Sequence, residues 1–431
     1  MTVLKHYKKQ VLMVLFCIIG THSWAQIDPV AKGPALPYSE FLNKVMDNNL
    51  EYAAEKYNVN IAEAGILVAK IMPDPELALE GGNNGQQRMA LGYNYGSSIS
   101  WTLELGGKRQ ARIAVARTET ELSQLLLADY FNKLRAHATI SYLEAIKQKN
   151  LLDVNLNSYQ TMKALNHSDS IRFKLGTIME IDLRQSKLEA GTLLNDVYQN
   201  EADWKSALEN LAMQFRTEKT DSLWFPKGDL STFDRQFKLE ELMETALNNR
   251  SDLQATLTNT KLAQSQLQLT KANRVMDLGL SVGVSGTTVQ YNHVAPTPSF
   301  TTVGGGITIP LKFSNNSKGE LKQAEYSVQQ NELIYKQAIL QIQSEVKQAY
   351  YNYTAAQKQV EQFNAGLLNE AKKVFDGKIY SYQRGASSLL EVLNAQRTYN
   401  EVQLTYHTTR YTLAAALVEL EKSVGIWDIN L

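Results

Sequence analysis

From residue 89 onward the odd positions Met89, Leu91, Tyr93, Tyr95, Ile99, Trp101, Leu103 and Leu105 are apolar, with Ser97 the one exception, and the even positions are mostly small or polar. A period of two predicts a strand with one apolar face and one wet face. The same alternation returns far downstream at Leu278, Leu280, Val282 and Val284, and again at Val303, Gly305, Ile307, Ile309, Leu311 and Phe313. After each strand region the period changes. Residues 107–172 contain no proline and no internal glycine, and 66 such residues form a helix of roughly 100 Å. Tyr335, Ile339, Ile342, Val346, Ala349, Tyr353, Ala356, Val360, Phe363 and Leu367 repeat at strict 4-3 spacing. Leu127, Phe131, Leu134, Ala138, Ser141, Ala145, Gln148, Leu152, Asn155 and Tyr159 keep the same phase with a more polar seam. Sustained 4-3 spacing predicts knobs-into-holes packing, and the small residues at the seam let helices approach closely. A cofactor site on such a stripe is the weaker reading.

The chain is written twice. VMDNNLEYA (45–53) corresponds to TALNNRSDLQA (245–255), PELALEGG (75–82) to MDLGLSVG (276–283), and FKLGTIMEIDLRQSK (173–187) to YQRGASSLLEVLNAQ (382–396). The offset drifts only from about 200 to 209, and a unit near 200 residues is far larger than a solenoid repeat. Each copy predicts a helix (38–71 and 237–273), two strands, a very long helix and a return helix. The boundaries are 26–215 for the first copy, with strands at about 75–105 and a tip at about 166–180. A linker spans 216–236. The second copy spans 237–431, with strands at about 276–313 and a tip at about 376–390. Gly176 and Gly385 stand where each long helix must reverse, because glycine tolerates the left-handed backbone of a helix end.

The fold class is therefore mainly α with membrane β. A soluble antiparallel hairpin is the usual source of alternating strands, but no other strand-rich segment covers these apolar faces. Four strands cannot close a barrel, and an open edge is not tolerated in lipid. Three chains pooling four strands each close a twelve-stranded barrel above a helical tunnel, so a homotrimer is expected.

Composition adds direction. Lys5, Lys8 and Lys9, the apolar run 11–20 and Ser23-Trp24-Ala25 predict a cleaved signal peptide over residues 1–25. Cys17, the only cysteine, lies in the apolar run behind Phe16, a poor context for lipid attachment. Without the three leader lysines, 44 basic and 44 acidic residues become a net charge of −3, with no basic block for nucleic acid. His137, His167, His293 and His407 lack ligand-like spacing. Gly304, Gly305 and Gly306 sit within a strand pattern instead of opening a helix, so they predict close packing or bending in a wall. No nucleophile motif is present, and neither an enzyme nor a resident cofactor or metal is expected.

The two Gly-x5-acid tips, the strand-to-helix passages at 103–116 and 310–325 and the paired NN helix starts, in that order and duplicated, resemble the TolC-like outer-membrane efflux proteins over nearly all of the chain after the leader. The resemblance implies the outer-membrane exit duct of a tripartite efflux or type I secretion system. It implies a passive homotrimer joined through a periplasmic adaptor, at tips including Gly176, Thr177, Gly385, Ala386 and Ser387, to an inner-membrane RND or ABC-type transporter. An equatorial girdle is implied near 216–236 and after Lys422. It also implies a periplasmic constriction lined by acids, where Leu390-Glu391-Val392-Leu393-Asn394-Ala395 stands. Glu391 keeps an acid, Asn394 departs from the pattern, and Asp182 is the corresponding acid of the first copy. The rival reading is a periplasmic coiled-coil structural or adaptor protein without a pore. Export predicts that the protein recovered from the cell envelope begins at Gln26; mass spectrometry of its N-terminal peptide finding Met1–Ala25 retained would remove the cleaved leader.

Overall fold

A computed structural model describes residues 34–429 apart from 85–89, 217–222, 231–232, 292 and 312–315. The expected signal peptide, Met89 and Phe313 lie outside the described residues. The first copy contains β1 (Ala35–Pro37), α1 (Tyr38–Asn48), α2 (Leu50–Lys70), β2 (Glu76–Asn83), β3 (Tyr93–Leu103), α3 (Lys108–Lys174) and α4 (Glu180–Met213). The second contains β4 (Phe225–Lys227), α5 (Leu239–Asn249), α6 (Ser251–Asn273), β5 (Leu278–Thr287), β6 (Phe300–Thr308) and α7 (Asn316–Gln362). A π-helical turn at Phe363–Leu367, α8 (Leu368–Gln383) and α9 (Leu389–Val424) complete it.

Three expectations are corrected. The single helices expected over 38–71 and 237–273 are each two helices, broken at Asn49 (φ −68°, ψ 117°) and Arg250 (φ −68°, ψ 120°). Asn49 caps α2 by accepting from the Tyr52 N–H at 2.9 Å and donates to the Gln214 carbonyl. At the matching place, Arg250 is drawn out of helix by Asp252, Glu345 and the Ser423 carbonyl. The strand expected from Met89 to Leu105 is described as Tyr93–Leu103, because Gly92 and the pair Gly106-Gly107 take positive φ at its two ends. The 4-3 seam of the second copy is buried or half-buried through Val360 but leaves Leu367 exposed. There the π-turn inserts an extra residue and Gly366 adopts φ 115°.

The four long strands form one antiparallel sheet in the order β2-β3-β5-β6. Helices α2, α3, α6 and α7 lie side by side in the same order, so sheet and helices make one continuous wall. Below it, α3 pairs with α4 and the α7–α8 rod with α9, while α3 also packs on α9. The seam residues Leu134, Ala138, Ala145, Leu152, Ile342, Val346, Tyr353 and Ala356 are buried, as knobs in a 4-3 seam must be.

The main core surrounds the middle of the wall, where extended segments are strapped across the long helices. β1 pairs in parallel with β4. The Tyr142 hydroxyl of α3 lies 2.8 Å from the Leu36 carbonyl and 2.7 Å from that of Lys227, and accepts from the Lys227 N–H. The Tyr353 hydroxyl of α7 does the same for the second strap, 2.9 Å from the carbonyls of Phe233 and Arg235. Glu421, 1 % exposed, accepts from Arg235 Nη1 at 3.1 Å and from the Asp428 N–H at 3.0 Å, fastening the strap and the C-terminal segment together.

Burial pushes the Glu421 carboxyl up to about 7, against the opposing pull of Arg235 and Arg135. The folded protein therefore holds this proton more tightly than the unfolded chain. The resulting stability is fully present below about pH 4.5, the ordinary glutamate value, and is lost as pH rises through 7. Glu421→Gln keeps an acceptor there and removes the titration. Between pH 4.5 and 7.5 wild type should lose up to roughly 3 kcal/mol more than the variant, measured by thermal unfolding in detergent. Parallel pH profiles would refute the assignment.

Candidate channel wall and hairpin tips

The sheet register decides what each face can meet. Leu77 pairs with Ile99 and Ile99 with Val282; Trp101 pairs with Leu280 and Leu280 with Ile307; Val284 pairs with Val303. Alternation puts all of these on one face, together with Leu79, Tyr93 and Tyr95, and most of them are strongly exposed. Tyr93 and Tyr95 mark the far end of this apolar band and Trp101 the end nearest the helices, where its indole N–H donates to the Pro73 carbonyl at 3.0 Å. An apolar band with aromatic residues at both rims matches the pattern of the outer surface of a membrane barrel. The opposite face carries Glu80, Gly96, Ser98, Ser281, Gly283, Ser285, Thr302, Gly304 and Gly306, and it is hollow. The glycines have work there: a Cβ on Gly283 would lie 2.9 Å from that of Ser98. No strand among the described residues pairs with the outer edge of β2 or of β6.

Where sheet becomes helix the chain is fixed by charge. Lys108 reaches Asp277 at 2.6 Å across the two copies, Arg112 pairs with Glu104, and Arg109 donates to the Lys70 carbonyl at 2.7 Å. Among the described residues no helix is long and apolar enough to cross a membrane.

At the far end the two reversals have the same backbone. Gly176 (φ 72°) donates to the Phe173 carbonyl and Thr177 to that of Arg172, each at 2.9 Å. Gly385 (φ 77°) donates to the Tyr382 carbonyl at 3.0 Å and Ala386 to that of Ser381 at 2.9 Å. Both are the paired 6→1 and 5→2 bonds of a glycine-terminated helix. This answers why the motif is written twice: each long helix needs one left-handed residue to turn back. Ser387 donates to the Lys378 carbonyl at 3.3 Å. Ser388 then caps α9, accepting from the Glu391 N–H at 3.4 Å, with its hydroxyl 3.3 Å from a Glu391 carboxylate oxygen.

The two tips differ in side chains. Glu391 is exposed and pairs with Lys378 of α8 at 2.5 Å, and this cation holds its carboxyl below the usual range. Asn394 lies one turn further along α9 and is also exposed. Asp182 sits in the first turn of α4 and is half-buried. Sequence reasoning did not single out Tyr382, Asp169 or Lys378. Tyr382 belongs to the second tip, yet its hydroxyl donates to Asp169 of the first at 3.0 Å, and Asp169 is fully buried. Burial raises the Asp169 carboxyl, while Tyr382, Ser186 and Arg172 pull the other way. Asp169 and Lys378 stand seven residues before Gly176 and Gly385, so comparing the copies would have exposed the pair. Arg397 donates to Glu189 through Nε and Nη2, and Asn400 joins Ser158 to Asn155, so polar contacts link the two hairpins.

A four-stranded sheet with a lipid-type outer face, continued by long paired helices that turn at glycine tips, resembles the wall segment of a TolC-like channel. Residues 242–426 match the Outer membrane efflux protein family. It is 22 % identical over 385 residues to the cobalt-zinc-cadmium resistance protein CzcC of Cupriavidus metallidurans, covering 87 % of this chain and 86 % of that protein. It is also 22 % identical over 347 residues to the pyoverdine export outer membrane protein OpmQ of Pseudomonas aeruginosa, covering 77 % and 70 %. Among solved structures it superposes on CusC with a TM-score of 0.75 at 16 % identity, covering 93 % of this chain and 96 % of that one. The Campylobacter jejuni CmeC outer membrane channel gives 0.74 at 14 %, covering 94 % and 90 %.

Removing the buried Tyr382 hydroxyl leaves Asp169 short of a donor, at a cost of about 1–3 kcal/mol. Tyr382→Phe is expected to raise amide exchange about tenfold or more in 160–173 and 378–393 and to leave the strapped core near Tyr142 unchanged. Unaltered exchange at both tips would show that this bond does not join the hairpins.

Proposed function

We propose that three copies of this chain close into a twelve-stranded outer-membrane pore with a helical tunnel beneath it, the passive exit duct of a tripartite pump. The observation that carries this reading is that both layers of the wall end unsatisfied on the same two sides. β2 and α2 lie at one edge, and β6 and α7 at the other. The edge helices carry exposed apolar stripes, Leu50, Tyr57, Ile61 and Val68 on α2 and Tyr326, Leu333 and Leu340 on α7, at heptad-like spacing. A neighbour rotated about a common axis sets β6 against β2 and α7 against α2, which is a heterologous contact that closes into a ring.

The glycine tips, with Gly176, Thr177, Gly385, Ala386 and Ser387 at their ends, then face the cell interior. There they meet a periplasmic adaptor that joins the duct to an RND or ABC-type inner-membrane transporter. Glu391, with Asn394 one turn behind it and Asp182 at the matching place of the first copy, lines the constriction. Cargo is chosen by the pump, because the polar face of the sheet offers glycine, serine and threonine in place of a shaped binding pocket. The names of CzcC and OpmQ, one a cobalt-zinc-cadmium resistance protein and one a pyoverdine export protein, accord with a duct that serves unlike cargoes. A non-porating coiled-coil adaptor would have no use for an exposed apolar sheet face rimmed by aromatics.

Neighbouring residues on β6 test the reading. Val303→Arg places a charge on the apolar face, at a cost of about 2–4 kcal/mol per chain near mid-bilayer. Thr302→Arg places it on the polar face. The first should deplete heat-modifiable trimers from the outer-membrane fraction, and the second should leave them at the wild-type level with altered conductance. Equal tolerance of both, or a wild-type protein that is a soluble monomer, would overturn the reading.

A further inference from the structure

The acidic tip is accompanied by a base. Lys378 Nζ lies 2.5 Å from Glu391 Oε2, with both side chains about half exposed. The contact bridges α8 and the first turn of α9 within one hairpin, so it does not depend on a neighbouring subunit. Ser387 ties the Lys378 backbone to the turn, and Ser388 caps the Glu391 turn, so both partners stand on anchored backbone. The other charged groups on α8 are engaged elsewhere: Lys372 with Asp376 at 2.6 Å and Lys373 with Glu370 at 2.8 Å. The Arg384 guanidinium, at the end of α8, stacks on the Tyr380 ring. The first copy has no equivalent pair, since Asp169 occupies the place of Lys378 and is buried against Tyr382.

We propose that Lys378 sets the ionic selectivity of the constriction by neutralising Glu391 inside each hairpin, so that the tip presents three ion pairs in place of three bare carboxylates. This rests on the reading that Glu391 lines the constriction. An exposed ion pair contributes little to stability. Its effect on permeation is larger, because a charge ring at a narrow point acts directly on the passing ion. With the lysine in place, the cation affinity of an acidic ring is offset. Asn394 adds no charge to this tip, and the half-buried Asp182 is the acid of the other.

The test uses the full-length trimer in planar bilayers, reading reversal potential in a KCl gradient and block by hexamminecobalt(III) added from the tip side. Wild type should be weakly selective. Lys378→Met should become cation-selective and be half-blocked at a concentration at least tenfold lower. Lys378→Arg should behave as wild type. Glu391→Gln should shift toward anions, and the double variant Lys378→Met/Glu391→Gln should return to the wild-type reversal potential. A trimer of normal heat stability accompanies each measurement, so a folding defect is separated from a charge effect. If Lys378→Met conducts with unchanged selectivity and block, the inference is overturned while the channel stands. If wild type forms no channel, both readings are lost.

Discussion

A sheet that turns an apolar face toward hydrocarbon cannot leave a strand edge unpaired. No water is available there to replace the missing partners, and each orphaned backbone group costs several kcal/mol. The outer edge of β2 alone, eight residues long, presents roughly eight such groups at that cost. This outweighs the whole net stability of an ordinary domain, about 5–15 kcal/mol. The sheet is therefore compatible with membrane only as part of a closed ring. Helices α2, α3, α6 and α7 follow the order of the strands, so ring closure above fixes tube closure below.

Holding such rods in register is the task of the strapped middle. Tyr142 and Tyr353 use one hydroxyl each to bind the backbone of an extended segment running across the helices, and Glu421 ties the second strap to the C-terminal turn. Buried tyrosines suit this work, since the ring fills the seam while the hydroxyl reaches a carbonyl. Below the straps the hairpins share a buried apolar cluster, Met162, Leu165 and Leu193 with Phe375, Tyr382, Val392 and Leu393, and polar contacts among Asn155, Ser158, Asn400, Glu189 and Arg397 run beside it.

Much of this architecture was legible in the sequence because periodicity is a local property. The 2.0 period of Tyr93–Leu103 fixes the faces of β3, and the 4-3 seam from Tyr335 to Val360 fixes the buried side of α7. The glycines at 176 and 385 locate the reversals. What stayed hidden depends on partners distant in sequence. The breaks at Asn49 and Arg250 arise from contacts with Gln214, Glu345 and Ser423. The π-turn at Phe363–Leu367 sits inside an unbroken heptad pattern that reads as continuous helix. Likewise Glu391 reads as a bare carboxylate until α8 is folded back beside it and Lys378 arrives. A charge in sequence has no countercharge; only the fold supplies one.

Duplication allows the halves to diverge. Both tips need the glycine turn, and both keep it. The position seven residues before that turn is under no such demand, and there the copies hold opposite charges. Asp169 faces inward and accepts from the tyrosine of the other copy, where the first copy's own counterpart, Phe173, has no hydroxyl to give. Lys378 faces outward and pairs with the acid at the start of α9. Transposing them loses both contacts. A lysine at 169 would leave the Tyr382 hydroxyl without its buried acceptor. An aspartate at 378 would set two carboxylates side by side at the tip. The two residues therefore divide the work at this end of the molecule, one joining the hairpins and the other setting the charge they present.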